Sequence, residues 1–182
     1  MKITFLGGGN MASALIGGLL NNGFPISEIA VIEIGAGVTG MYALPSVTEA
    51  ERLGTERVLQ AVGSTLWVTE ESQIDAVTAI SGSGPAYVFL FIEALYQAAT
   101  QLGFSPKQAR QLSIETVLGA SKLAAQSEEP ASVLRERVTS KGGTTEAALT
   151  MMAERGVKDG IIAGALAANA RAGTLGELLG QD

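Results

Sequence analysis

The residues with the clearest chemical meaning are three small ones near the N-terminus. Gly7, Gly9 and Ala12 follow the apolar segment ITFLG and match the spacing G-x-G-x-x-G/A. In that spacing the backbone N–H groups and the positive end of a helix can approach a pyrophosphate. A plain turn between a strand and a helix is the alternative, but the strand–turn–helix context favours a dinucleotide site.

A carboxylate follows at the position where a dinucleotide site requires an acid. Glu33 ends the apolar segment IAVIE, about 20 residues after Ala12, where an acid accepts the ribose 2′-hydroxyl of NAD. No arginine follows it to neutralise a 2′-phosphate, so this role would favour NADH over NADPH. An ordinary carboxylate at the end of a strand is the alternative.

Two later segments are also rich in glycine. VTSKGGTTEAAL (138–149) has free N–H groups before a helix, which suit a carboxylate, and threonine hydroxyls that can donate to a heteroatom. A threonine N-cap after a glycine loop is its alternative, and Lys141 either assists an anion or is solvated. SGSGPAY (81–87) is interpreted as a joint between helices, with a place beside a cofactor or substrate as the alternative.

Composition limits the remaining chemistry. The 182 residues contain neither histidine nor cysteine, which excludes Ser-His and Cys-His nucleophiles, His/Cys zinc sites, disulfides and thiol redox chemistry. If the chain is an enzyme, a cofactor must therefore supply most of the reactivity. A net charge of −6 argues against binding to nucleic acid.

The apolar content predicts assembly between subunits. Apolar residues make up 47% of the chain, yet Glu93 interrupts the most apolar segment before it reaches the ~20 residues of a membrane span. We therefore expect no membrane segment, no signal peptide, a cytoplasmic protein and an oligomer interface. The Ala/Gly-rich last helix fits either a close crossing within the chain or packing against a second subunit.

The elements that must carry these segments fall into two predicted domains. Residues 1–70 are predicted to be α/β, a truncated Rossmann-like part with about four strands, and residues 71–182 all helical. The predicted strands are 3–7, 29–33, 37–44 and 64–69, and the principal helices are 10–22, 48–62, 85–102, 106–126, 130–138, one ending at 154 and the last one.

Three segments in this order resemble the pyrroline-5-carboxylate reductase family: GGGNMASALIGG, VTAISGSGPAYVFLFIEAL and VTSKGGTTEAAL. The third is the most diagnostic of that family. The resemblance extends from Met1 to Glu33 and from about Gly35 to the region of Ala172.

The resemblance implies reduction of the cyclic imino acid (S)-1-pyrroline-5-carboxylate to L-proline with NADPH or NADH. It also implies an N-terminal Rossmann domain and a helical domain that forms homodimers or larger homo-oligomers. Thr145 would donate a hydrogen bond to the ring nitrogen as the catalytic residue. The residues that would hold the cofactor phosphates are Gly7, Gly8, Gly9, Asn10 and Met11, and those around the substrate carboxylate are Ser140, Gly143 and Thr144.

The sequence departs from the family after Glu33. The family pattern continues there through further strands and helices, including an A-V-K-P loop at the cofactor and an M-P-N-T-P segment at the substrate, and neither occurs here. Either the polypeptide has lost this block by a natural or engineered deletion, or the real polypeptide contains residues that this sequence lacks. A non-catalytic dimerisation module and another imine reductase are the competing functions.

Overall fold

The computed structural model describes residues 3–6, 29–32, 37–60 and 63–179, with side chains described for 37–60 and 63–176. It divides into two compact units, Met1–Gly84 with Ala165–Asp182, and Pro85–Gly164. The predicted helix 10–22, the Gly7–Met11 turn and Glu33 lie outside the described residues.

Four short strands occur in the described residues, each within a segment that the sequence predicted. Strands β1 (Ile3–Leu6) and β2 (Ile29–Ile32) pair in parallel, and so do β3 (Val38–Met41) and β4 (Ser64–Trp67). In both pairs the first residues of the two strands lie opposite each other. The four strands thus form two separate two-stranded sheets rather than one four-stranded sheet.

Helix α1 (Glu49–Gln60) connects β3 to β4 and begins with a capping box between Thr48 and Glu51. The Thr48 N–H and hydroxyl donate to Glu51 Oε2 at 2.8 and 2.7 Å, and the Glu51 N–H donates back to Thr48 Oγ1 at 3.4 Å. These hydrogen bonds, from the Thr48 hydroxyl first and then its backbone N–H, lower the pKa of the Glu51 carboxyl. The helix buries Leu59.

A joint of unusual geometry follows β4. Helix α2 (Gln73–Val77) continues through a π-helical turn (Thr78–Gly82) into helix α3 (Gly84–Gln101). The Val38 N–H at the start of β3 donates to Ser81 Oγ in this turn at 3.1 Å. The SGSGPAY segment is therefore a joint between two helices, as predicted, and its first serine also ties that joint to β3.

Beyond α3 the described residues form four more helices: α4 (Pro106–Ala125), α5 (Ala131–Arg137), α6 (Thr144–Glu154) and α7 (Val157–Leu179). Their bounds agree with the sequence prediction to within two residues where a bound was predicted. Ser105 and Gln108 form a capping box at the start of α4. Gly103 and Gly156 have φ values of 93° and 65°, the left-handed conformation with which a helix commonly ends.

The helical unit Pro85–Gly164 has almost no core of its own. Its buried residues are Ala99, Ala109 and Ser113, so no large apolar side chain is buried there. Phe89 and Leu90 are each 67% exposed. Among the described residues, no helix of this unit packs along its length against another. A unit that buries so little apolar surface lacks the main force that stabilises folded domains.

One stretch of helix in the described residues, Gln73–Gln101, has the length and composition of a possible membrane span. A single such helix is weak evidence for a membrane protein, because the core helices of soluble proteins can have the same length and composition. Glu93 lies in this stretch.

Candidate functional site

The best-defined candidate site is the loop between α5 and α6. Helix α5 ends where the Thr139 hydroxyl donates to the Arg135 carbonyl at 2.6 Å and the Thr139 N–H donates to the Glu136 carbonyl at 3.0 Å. The chain then turns, with the Gly143 N–H donating to the Ser140 carbonyl at 3.0 Å. The partners in these hydrogen bonds are only three or four residues apart in the sequence. The conformation of the loop is therefore determined by its own residues.

Both glycines of the loop meet a steric requirement. Gly142 has a φ of 72°, in the left-handed region that disfavours other residues. Gly143 is extended, but a Cβ there would lie 2.5 Å from Ser140 Oγ and 3.0 Å from the Ser140 carbonyl oxygen. The second glycine is therefore required by close approach of the loop to itself, which the sequence pattern did not reveal.

The start of α6 presents unoccupied donors. Its first N–H group with an acceptor in the chain is that of Ala147, which donates to the Gly143 carbonyl at 3.2 Å. Within the described residues, the N–H groups of Thr144, Thr145 and Glu146 have no acceptor. The N-cap is Gly143 rather than a threonine, so no N-cap side chain occupies these donors. Three free N–H groups at the positive end of a helix can bind a carboxylate.

Glu146 takes part in this loop, although the sequence analysis did not select it. Its Oε2 accepts the Gly142 N–H at 2.6 Å, which holds the left-handed residue against the first turn of α6. A glutamate three residues after the N-cap is the signal that could have identified it, since such a residue often reaches back to loop N–H groups.

The loop and the first turn of α6 contain all the residues predicted around the substrate. Thr144 is exposed and Thr145 is half-buried. The hydroxyls of Ser140, Thr144 and Thr145 make no hydrogen bond to any residue that the structure describes, and they are available to a ligand. Lys141 is exposed and has no ion pair there.

An apolar groove adjoins this site. It has a volume of about 660 Å³ and lies within Pro85–Gly164, between the end of α5, α6 and the start of α7. We call it the α6–α7 groove. Its apolar lining is Leu149, Met152, Ala153, Val157, Ile161 and Ile162, and its charged lining is Arg135, Glu136, Glu146 and Lys158.

Comparison with known proteins agrees with the resemblance. Residues 71–175 match the family model for pyrroline-5-carboxylate reductase dimerisation. Pyrroline-5-carboxylate reductase from Pseudomonas aeruginosa is 44% identical over 145 residues, which cover 80% of this chain and 53% of that protein. The enzyme from Haemophilus influenzae is 45% identical over 119 residues, covering 65% and 44%. The chain thus spans about half the length of the curated relatives it matches.

Solved structures show the same fold. The pyrroline-5-carboxylate reductase of Coxiella burnetii superposes with a TM-score of 0.74 at 28% identity, over 96% of this chain and 98% of that one. The Plasmodium falciparum pyrroline carboxylate reductase, solved with NADP bound, gives 0.71 at 24% identity, over 85% and 65%, and supports the fold alone. With the family model matching more than half of its residues, the chain belongs to the pyrroline-5-carboxylate reductase family.

Proposed function

We propose that the α5–α6 loop binds the carboxylate of (S)-1-pyrroline-5-carboxylate, and that the function is its NAD(P)H-dependent reduction to L-proline. The free N–H groups of Thr144, Thr145 and Glu146, in the segment most diagnostic of the family, carry this proposal. A carboxylate bound there gains charge-assisted hydrogen bonds and a favourable helix dipole. Ser140, whose hydroxyl lies against Gly143, extends the same donor set.

Thr145 is the proposed catalytic residue. Its hydroxyl donates a hydrogen bond to the ring nitrogen, which polarises the C=N bond toward hydride addition at the ring carbon. With the carboxylate held by the N–H groups, this bond fixes the orientation of the small ring. Hydride adds to the ring carbon and the ring nitrogen takes up one proton from solvent, which the Thr145 hydroxyl can pass on along its hydrogen bond. The chemistry therefore needs neither histidine nor cysteine, both of which the chain lacks.

The cofactor, when bound, supplies the hydride. Gly7, Gly8, Gly9, Asn10 and Met11 are proposed to hold its phosphates and Glu33 its ribose. These residues lie outside the described residues, so their spacing and the family support the assignment. The cofactor is NADPH or NADH, and NADP is bound in the Plasmodium relative.

We propose further that residues 1–70 are a truncated Rossmann-like domain and 71–182 the dimerisation and substrate domain of a cytoplasmic homodimer or larger homo-oligomer. The parallel pairing of β1 with β2 and of β3 with β4 supports the first part. The family match beginning at residue 71 and the missing core of Pro85–Gly164 support the second.

A non-catalytic dimerisation module is the second candidate. The helical segment matches the family model over 71–175, whereas the A-V-K-P and M-P-N-T-P segments of the cofactor domain do not occur in the sequence. A chain of this kind would form homodimers without reducing the substrate.

One experiment separates the two functions. After the intact mass has been verified, NADH and NADPH are titrated and their oxidation is followed with (S)-1-pyrroline-5-carboxylate. Turnover supports the enzyme, and we then expect Thr145→Ala to lower kcat by about 100-fold, the usual cost of one donor to a reacting heteroatom. Thr145→Ser should restore most of the rate. If the chain of correct mass neither binds NADH or NADPH nor turns over the substrate, the non-catalytic dimerisation module is the supported function.

Thr116→Ala is the matched control for this test. The Thr116 hydroxyl donates to the Leu112 carbonyl within α4 at 2.7 Å and belongs to no proposed site. It should leave kcat unchanged, and an equal loss in both variants would remove Thr145 from the mechanism.

A further inference from the structure

The outer face of α3 is apolar and carries a single charge. Phe89 and Leu90 are each 67% exposed, and Glu93 follows on the same face because residues three and four apart are neighbours on a helix. Glu93 is the one charged residue of α3, and it has no ion pair within the described residues. Two large exposed apolar side chains, followed one turn later by an unpaired acid, have the character of an interaction surface.

The start of α7 carries the complementary pattern in reverse order. Lys158 precedes Ile161 and Ile162, which are 56% and 47% exposed, and all three line the α6–α7 groove. Lys158 also has no ion pair among the residues that the structure describes. On α3 the apolar pair comes before the charge, whereas on α7 the charge comes before the apolar pair.

We infer that α3 of one copy packs antiparallel into the α6–α7 groove of a second copy, with Phe89 and Leu90 against Ile161 and Ile162 and with Glu93 paired to Lys158. Four residues separate Phe89 from Glu93 and Lys158 from Ile162, a rise of about 6 Å on each helix. Only antiparallel alignment matches both contacts at once. A two-fold axis repeats the pairing, since each copy offers both α3 and α7.

Three observations favour a second copy over another occupant. Within one chain no helix of Pro85–Gly164 packs along another, so none of the helices that the structure describes in this unit fills the groove. The α3 face and the groove belong to the same molecule, and Glu93 of the face is opposite in charge to Lys158 of the groove. They also lie within the segment that matches a dimerisation family. The inference rests on the homodimer proposed above and adds which surfaces meet.

Cysteine cross-linking tests the pairing directly, because the native chain has no cysteine. Leu90→Cys combined with Ile161→Cys should form a covalent dimer of doubled mass under oxidising, non-reducing conditions. The control combines Leu90→Cys with Leu118→Cys on α4 and should remain largely uncross-linked. A cross-link within one chain, or equal cross-linking of both variants, would overturn the proposal.

Charge exchange tests the ion pair. Glu93→Lys and Lys158→Glu should each raise the dimer Kd at least about tenfold in sedimentation equilibrium, because the pair occurs twice per dimer. Combining them should restore most of the affinity. The same exchange of Glu115 and Lys107 on α4 should have no effect. Absence of rescue would reject the Glu93–Lys158 pair.

The outcomes separate this inference from the homodimer itself. A native dimer that neither cross-links nor responds to charge exchange rejects the pairing and leaves homodimerisation standing. A chain that is monomeric at all concentrations rejects both. Co-sedimentation of the native chain with phospholipid vesicles is measured in parallel, and vesicle binding by a monomer would show that the α3 face meets a membrane instead.

Discussion

Substitution of Gly143 by alanine tests the proposed carboxylate site where the structure is most restrictive. The new Cβ would lie 2.5 Å from Ser140 Oγ and 3.0 Å from the Ser140 carbonyl oxygen, whereas ordinary contacts begin near 3.4 Å. The serine side chain can rotate away. The carbonyl oxygen cannot, because it belongs to the backbone that accepts the Gly143 N–H. The turn must therefore open by about 0.4 Å, the difference between 3.4 and 3.0 Å.

This opening moves the donors away from the ligand. Loss of one charge-assisted hydrogen bond costs about 1.5–3 kcal/mol, so we expect the Kd for L-proline to rise roughly 10- to 150-fold. The forced contact should also lower the free energy of unfolding by about 1–3 kcal/mol. Isothermal titration with L-proline measures the first quantity, and urea unfolding measures the second.

Gly156→Ala is the control for general destabilisation. Gly156 has a φ of 65° and open space around its Cβ position, so alanine there should cost about 1 kcal/mol of conformational strain. It lies at the other end of α6, and we expect unchanged binding of L-proline. If wild type binds L-proline and Gly143→Ala binds it equally well, the free N–H groups do not hold the carboxylate.

Two further predictions concern the first unit. Gly40→Ala should destabilise the chain by about 1–3 kcal/mol in thermal unfolding, because the new Cβ would lie 3.1 Å from three atoms of the stiff Val77 side chain. Gly54→Ala on α1 is the comparison: its Cβ would lie in open space, so it should stabilise the chain by up to about 1 kcal/mol. The lowered pKa of Glu51 adds stability that is present above the pKa of an ordinary glutamate and is lost as the pH falls through the lowered value. Glu51→Gln keeps the polar contact with Thr48, so its urea midpoint should lose that acid dependence, and an unchanged pH profile would contradict it.

The sequence was a good guide where structure is local. The predicted helices 106–126 and 130–138 agree with α4 and α5 to within one residue, because neighbours a few residues away determine where a helix begins and ends, as Ser105 and Gln108 do for α4. The division into two sheets was not predictable in this way. Strand pairing depends on residues far apart in the chain, and apolar content alone does not specify which strands meet.

In the candidate site, too, the local features were predictable from the sequence and the path of the loop was not. The pattern GGTT before a helix was enough to predict free donors, because donors at a helix start follow from helix geometry. It did not predict that Gly143 is the N-cap, that its Cβ position is blocked by Ser140, or that Glu146 holds Gly142. Each of these depends on the path of the loop, which the sequence pattern leaves open.

The proposed carboxylate binding and the proposed hydride transfer can therefore be tested separately. The loop is held by hydrogen bonds among its own residues, from Gly143 to Ser140 and from Gly142 to Glu146, and none of these bonds involves residues 1–70. The loss of family segments after Glu33 would remove walls of the cofactor pocket without removing a donor from α6. Binding of L-proline without oxidation of NADH or NADPH would thus identify a dimerisation module that keeps the substrate half of its ancestral site.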